Sequence, residues 1–92
     1  MKLPLVIVAW TDARSVFDQM SIEEAEALGL VRRQTAGFLV HDDADVVTVA
    51  HTFDPAEAPG EKDSVADVTV IPRGWVNEIV RQRKVAAKKE KS

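Results

Sequence analysis

The sequence predicts an α+β fold: a small, strongly curved antiparallel sheet or small barrel, with a short helix after the first strand and a second helix at the C-terminal end. Three observations predict it. Gly37 to Val40, Val46 to Val49 and Val65 to Ile71 are β-branched runs too short to be helices. Ser21 and Glu24 stand at the spacing of a capping box. Behind Pro72, the stretch Arg73 to Arg83 places Val76, Ile79 and Val80 on one side, with Trp75 beside them, as an amphipathic helix does.

Leu3 to Trp10 reads as the first strand, with Pro4 marking its entry. Thr11 to Met20 connects it to the short helix that Ser21 opens, and Gly29 is a candidate left-handed stop for that helix. A second strand runs from Leu30 to His41, where Gly37 marks strong curvature or a bulge. His41 to Asp45 is a hairpin loop in which aspartates satisfy backbone amides, and Val46 to Phe53 returns as the partner strand. Asp54 to Asp63 carries two Pro, one Gly and several acids, which makes it an exposed loop. Val65 to Ile71 is the last long strand. The chain therefore reads as one domain over residues 1–83, followed by a flexible basic tail from residue 84.

The 92 residues fit one small core, and the absence of cysteine excludes disulfides and thiolate-bound metal. Lack of cysteine suits a reducing compartment. The opening run, with one lysine and with Asp12 and Arg14 close behind, is a poor secretory leader, and no stretch is long enough for a membrane helix, so a cytoplasmic location is expected. The net charge of −3 conceals a division: residues 1–80 carry 6 basic and 14 acidic side chains, residues 81–92 carry 6 and 1. The body therefore repels a phosphate backbone, and only the tail attracts one.

No residue set spells out catalysis. His41 and His51 with Asp42, Asp43 or Asp45 have no diagnostic metal spacing, and the cluster lacks the glycine and distal glutamate of a calcium loop. Thr11, Ser15, Asp12, Asp18 and His51 supply the residue types of a nucleophilic site without a nucleophile elbow, and the four glycines form no phosphate-binding loop. No catalytic residue, metal or cofactor is therefore expected. Asp12 and Arg14, at the exit of the first strand, are candidates for lining a pocket. Trp10, Trp75 and Val76 are the interface candidates, because tryptophan couples a large apolar area to a donor that can stay at a rim. The candidates for phosphate contact are Arg32, Arg33, Arg73, Arg81, Arg83, Lys84, Lys88 and Lys89.

Thr35-Ala36-Gly37-Phe38-Leu39-Val40, the Asp42 to Asp45 turn, Val46 to Ala50 and Ile71-Pro72 together resemble the glycine-bearing strand, acidic turn, return strand and isoleucine-proline segment of Sm-like small barrels, which are SH3-like in form. The layout is also similar to short bacteriophage and prophage proteins with a leading Val-x-Trp-x-Asp segment, here Val8 to Asp12. The Sm-like resemblance implies ring formation and RNA binding. The chain departs from it by placing its strongest helix signal after Pro72 and by matching the RNA-contacting segments only in kind, at Ala50-His51-Thr52 and Ile71-Pro72-Arg73. The expected function is accordingly a noncatalytic binding or assembly module, a homo-oligomer or the partner of another protein. The alternatives are a nucleic-acid binder using the basic tail and a small-ligand or enzymatic protein with a pocket near Asp12.

Overall fold

The computed structural model describes residues 3–82. Five strands form one antiparallel sheet: β1 (Leu5–Asp12), β2 (Val31–Asp42), β3 (Val46–Asp54), β4 (Ser64–Pro72) and β5 (Val76–Arg81), in the spatial order β4-β3-β2-β1-β5. A single short helix, α1 (Ile22–Glu26), lies between β1 and β2, and a 3-10 turn (Arg73–Trp75) joins β4 to β5.

This corrects the α+β expectation. Where a C-terminal helix was expected over Arg73 to Arg83, the chain makes the 3-10 turn and an extended strand. The pairing explains why the sequence resembles a helix there. Trp10 faces Val76 and Ala9 faces Glu78, so Asn77 is an extra residue that leaves the ladder without a partner. A bulge of this kind resets the alternation, and Val76 and Ile79, three apart, both face the core. An i, i+3 apolar pair normally signals a helix, but here it signals an interrupted strand.

The sheet is open, since β4 and β5 do not pair with each other, yet it is strongly rolled. Outer strands of a flat five-stranded sheet stand roughly 19 Å apart. Pro72 and Val76 are four residues apart, a reach of at most about 14 Å. The 3-10 turn therefore bridges the two flanks only because the sheet curls beneath it. It touches both β1 and β3, and the Arg73 amide donates to the Asp45 carbonyl.

The concave side holds an all-aliphatic core of Val6 and Val8 from β1, Leu39 from β2, Val47 and Val49 from β3 and Ile71 from β4, against which Trp10, Val76 and Ile79 pack. Fully burying one such aliphatic side chain contributes about 1.5–3 kcal/mol. Two further details of β2 set the curvature. Its extra residue is Val40, between Leu39 opposite Val49 and His41 opposite Thr48, so the bulge expected at Gly37 lies three residues later. Gly37 serves a different purpose: a Cβ there would lie 2.4 Å from the Ala50 carbonyl oxygen, so β3 approaches the glycine more closely than any other residue permits. At the open end of the sheet the Gln82 amide donates to the Leu5 carbonyl, which sets the first and last described strands side by side.

The local signals around α1 hold in part. Ser21 Oγ accepts from the Glu24 amide and Glu24 Oε1 accepts from the Ser21 amide, a complete capping box. The Ser21 amide, and after it the Ser21 hydroxyl, hold the Glu24 carboxyl below its ordinary pKa. Gly29 does not stop the helix. The C-cap is Ala27, and the positive-φ residues among those described are Gly60 and Asp67. Asp67 sits within β4 opposite His51 and interrupts the ladder between the pairs Ala50–Val68 and Thr52–Ala66.

Candidate functional site

The curl of the sheet brings the interface candidates together at one end. Trp10, near the end of β1, stacks on Trp75 of the 3-10 turn, with ring centroids 6.4 Å apart and planes inclined by 15°. Trp10 Nε1 donates to Thr35 Oγ1 at 2.9 Å, which fixes the inner ring against β2. Trp75 remains 42% exposed. Trp10 therefore belongs to the rim of the core, and Trp75 is the surface residue that it supports. Val76 packs against the core opposite Trp10, so a change there alters the fold along with any contact.

Polar groups surround the stack. The Arg33 guanidinium donates to Asp12 Oδ2 at 2.7 Å, Asp12 Oδ1 accepts from the Ala13 amide, and Asn77 Nδ2 donates to Thr11 Oγ1. Asp12 lines a hollow of about 280 Å³ with Leu30, Gly74, Trp75 and Asn77. Its candidate partner Arg14 is not among those residues. The hollow offers stacking and apolar contact with one ion-paired carboxylate at its edge.

The arginines proposed for phosphate contact separate into two places. Arg32 and Arg33 flank Trp10 and Asn77 in one depression, whereas Arg73 and Arg81 lie in another with Asp42 and Glu78. Arg33 and Arg73 are already paired, the latter to Asp42 at 2.6 Å. The geometry thus divides the basic groups and neutralises two of them. Arg83, Lys84, Lys88 and Lys89 lie outside the described residues, as does the expected tail from residue 84.

His41 and His51 do not build a metal centre. His41 Nε2 donates to Asp43 Oδ2 at 2.6 Å within the hairpin, His51 lies opposite Asp67, and among the described residues no three His, Asp or Glu side chains converge. The hairpin aspartate has a structural task instead. Asp43 Oδ1 accepts from the Asp45 and Val46 amides, and the Val46 bond, then His41, then the Asp45 bond bring its pKa down from 3.8 to about 2. A depressed carboxylate pKa stabilises the fold fully above the unfolded value, and that stabilisation is lost as pH falls through the folded value. Thermal melts are therefore expected to show a stability loss between about pH 4 and pH 2 that is smaller in Asp43→Ala. An identical acid response in the variant would remove Asp43 from the account.

One feature was missed from the sequence, where residues 11–20 read as a connector of scattered polar groups. The arm from Ala13 to Leu30 carries apolar side chains that the sheet does not cover: Phe17 is 96% exposed, Ile22 78% and Leu30 68%. No residue of α1 is buried. The available signal was apolar content without a strand or helix period to place it inward.

Comparison with protein-family models, with curated proteins and with solved structures finds no match for this chain. Among the described residues no helix is long and apolar enough to cross a membrane.

Proposed function

We propose that this chain is a noncatalytic binding and assembly module that associates with copies of itself or with another protein through the Trp75 end of the sheet. The observation that carries the reading is the Trp10–Trp75 stack, in which a half-exposed tryptophan is held rigid by a core-packed one and flanked by exposed Leu30. Rigid, pre-positioned tryptophans and arginines concentrate binding energy at protein interfaces, and both residue types meet here. The ion pairs Arg33–Asp12 and Arg73–Asp42 favour protein contact over phosphate contact, because they satisfy two of the arginines that a nucleic acid would need. Cysteine-free composition supports a cytoplasmic setting for this role. Kinship with Sm-like small barrels is supported by the order in which the Gly37 strand, the acidic turn, β3 and the Ile71-Pro72 segment follow one another in a single curved sheet. The layout around Val8 to Asp12 supports a phage or prophage setting.

Solution mass by light scattering at two salt concentrations, with and without a mixed pool of short RNA and DNA, tests the proposal. A defined oligomer indifferent to nucleic acid is expected, and Trp75→Ala is expected to weaken association at least tenfold with an unchanged circular dichroism spectrum. A monomer that gains mass only with nucleic acid at low salt would overturn the reading and make the basic segment the functional element.

A further inference from the structure

Resting on that reading of the Trp75 end, we propose that this end takes an acidic peptide segment of a different protein, with a bulky apolar side chain against Trp75 and a carboxylate on Arg32. The strand register builds the site. Val6, Val8 and Trp10 turn to the core side of β1, which leaves Ala9 and Thr11 on the opposite face. Ala9 pairs with Gln34 and Thr11 with Arg32, so two long polar side chains of β2 stand on that face beside two short ones of β1. On the other flank Asn77 has no ladder partner, and bulges of this kind re-aim a side chain. Its Nδ2 donates to Thr11 Oγ1 at 2.8 Å. The result is an open depression of about 620 Å³ lined by Ala9, Thr11, Arg32, Gln34 and Asn77. Thr11 and Asn77 also line the hollow of about 280 Å³ that holds Trp75 and Leu30. The two spaces therefore share one hydrogen-bonded pair as a common wall.

Charge selects the occupant. Arg33 is held by Asp12 at 2.7 Å, and the second oxygen of that carboxylate accepts from the Ala13 amide. Arg32, by contrast, is exposed, and among the described residues it makes no ion pair. A guanidinium offers a planar fork that matches a carboxylate, and the Gln34 amide, two residues along the same face, adds a donor. One unengaged arginine suits a single carboxylate and not a phosphate backbone, because residues 1–80 carry 14 acidic against 6 basic side chains and Glu78 stands across Ala9 from Gln34. A second copy brings that whole acidic excess with it. A segment of another protein brings one carboxylate, and Arg32 is the group that favours it. Beside it, Trp75 and Leu30 supply the apolar contact. In an extended segment, side chains two apart lie on one face about 7 Å from each other, so an apolar residue and an acid separated by one position reach both spaces.

The test is a nuclear magnetic resonance titration of the full chain with a short blocked peptide, phenylalanine and then glutamate two positions on, in a glycine-serine background. Control peptides carry glutamine or lysine in place of the glutamate. Saturable shifts are expected at the Trp75 indole and at the Arg32 amide, and the glutamine peptide is expected to bind about fivefold more weakly. Trp75→Ala is expected to weaken the glutamate peptide at least about tenfold. Arg32→Gln is expected to abolish the discrimination, and Arg32→Glu to prefer the lysine peptide, an inversion that a merely structural arginine would not produce. Because copies and peptide share Trp75, saturating peptide is expected to lower the mass of a wild-type oligomer. Equal binding of the glutamate and glutamine peptides, discrimination that survives Arg32→Gln, or no binding would each overturn the acidic partner. In any of these cases an oligomer that Trp75→Ala dissolves would leave the assembly reading intact, whereas a wild type that is monomeric at every concentration and binds no peptide would overturn both.

Discussion

Gly37→Ala is expected to cost about 3 kcal/mol of folding stability, a large loss for a single methyl group. Overpacking a close contact typically costs about 1–3 kcal/mol, and more when the neighbour cannot move. The neighbour here is the backbone: an added Cβ would stand 2.4 Å from the Ala50 carbonyl oxygen and 2.8 Å from a Val49 methyl. Val49 and Ala50 are both fully buried, and they pair with Thr69 and Val68 on β4, so β3 cannot retreat without disturbing the next strand. A fold of about 80 described residues has a total stability on the order of 4–12 kcal/mol. Urea titration of the purified variant checks the expectation. A midpoint within error of the wild type would show that β2 and β3 can separate cheaply, and that the close approach does not set the curvature.

Ile71→Ala is expected to lose about 3–5 kcal/mol. The residue is fully buried although β4 is an outer strand. It faces Val47, and it is the only contribution of β4 to the core cluster. Removing it leaves a cavity that the ladder on one side of β4 cannot close, and large-to-small changes of isoleucine cost about 2–5 kcal/mol according to how far the site collapses. The loss should appear as a lower urea midpoint with an unchanged slope. A loss under about 1 kcal/mol would mean that β4 is fastened by its backbone pairing and the Arg73–Asp45 amide bond, with little help from its single core residue.

Much of the sheet was legible in the sequence because its signals are local. The β-branched runs place β2, β3 and β4 within one or two residues of their observed limits, and Ser21 with Glu24 locates α1 through two hydrogen bonds that need no tertiary contact. What was not legible depends on pairing. The extra residue Asn77 exists only relative to β1, and without that partner Val76 and Ile79 take the spacing of a helix. The same applies to Gly37, whose importance comes from Ala50 across the ladder and not from its own torsion angles. At the candidate site, the types Trp10 and Trp75 were recognisable as interface material, but their stacking across 65 positions of sequence is made by the 3-10 turn where a helix was expected. The exposed arm escaped for a simpler reason. Apolar residues without periodicity give no direction, and only the fold shows that nothing covers Phe17.

The hydrogen bond from Gln82 to Leu5 has a bearing on genetic architecture. Because the chain enters and leaves the sheet on neighbouring strands, the unit can be spliced into a surface loop of a larger protein without forcing that loop apart. By the same token the order of its strands along the gene is not fundamental to it. A permuted gene that links residue 82 to residue 5 and opens between Ala58 and Gly60, in a loop whose bonds are made within itself through Glu61 and Asp63, would retain every strand pair that this one encodes.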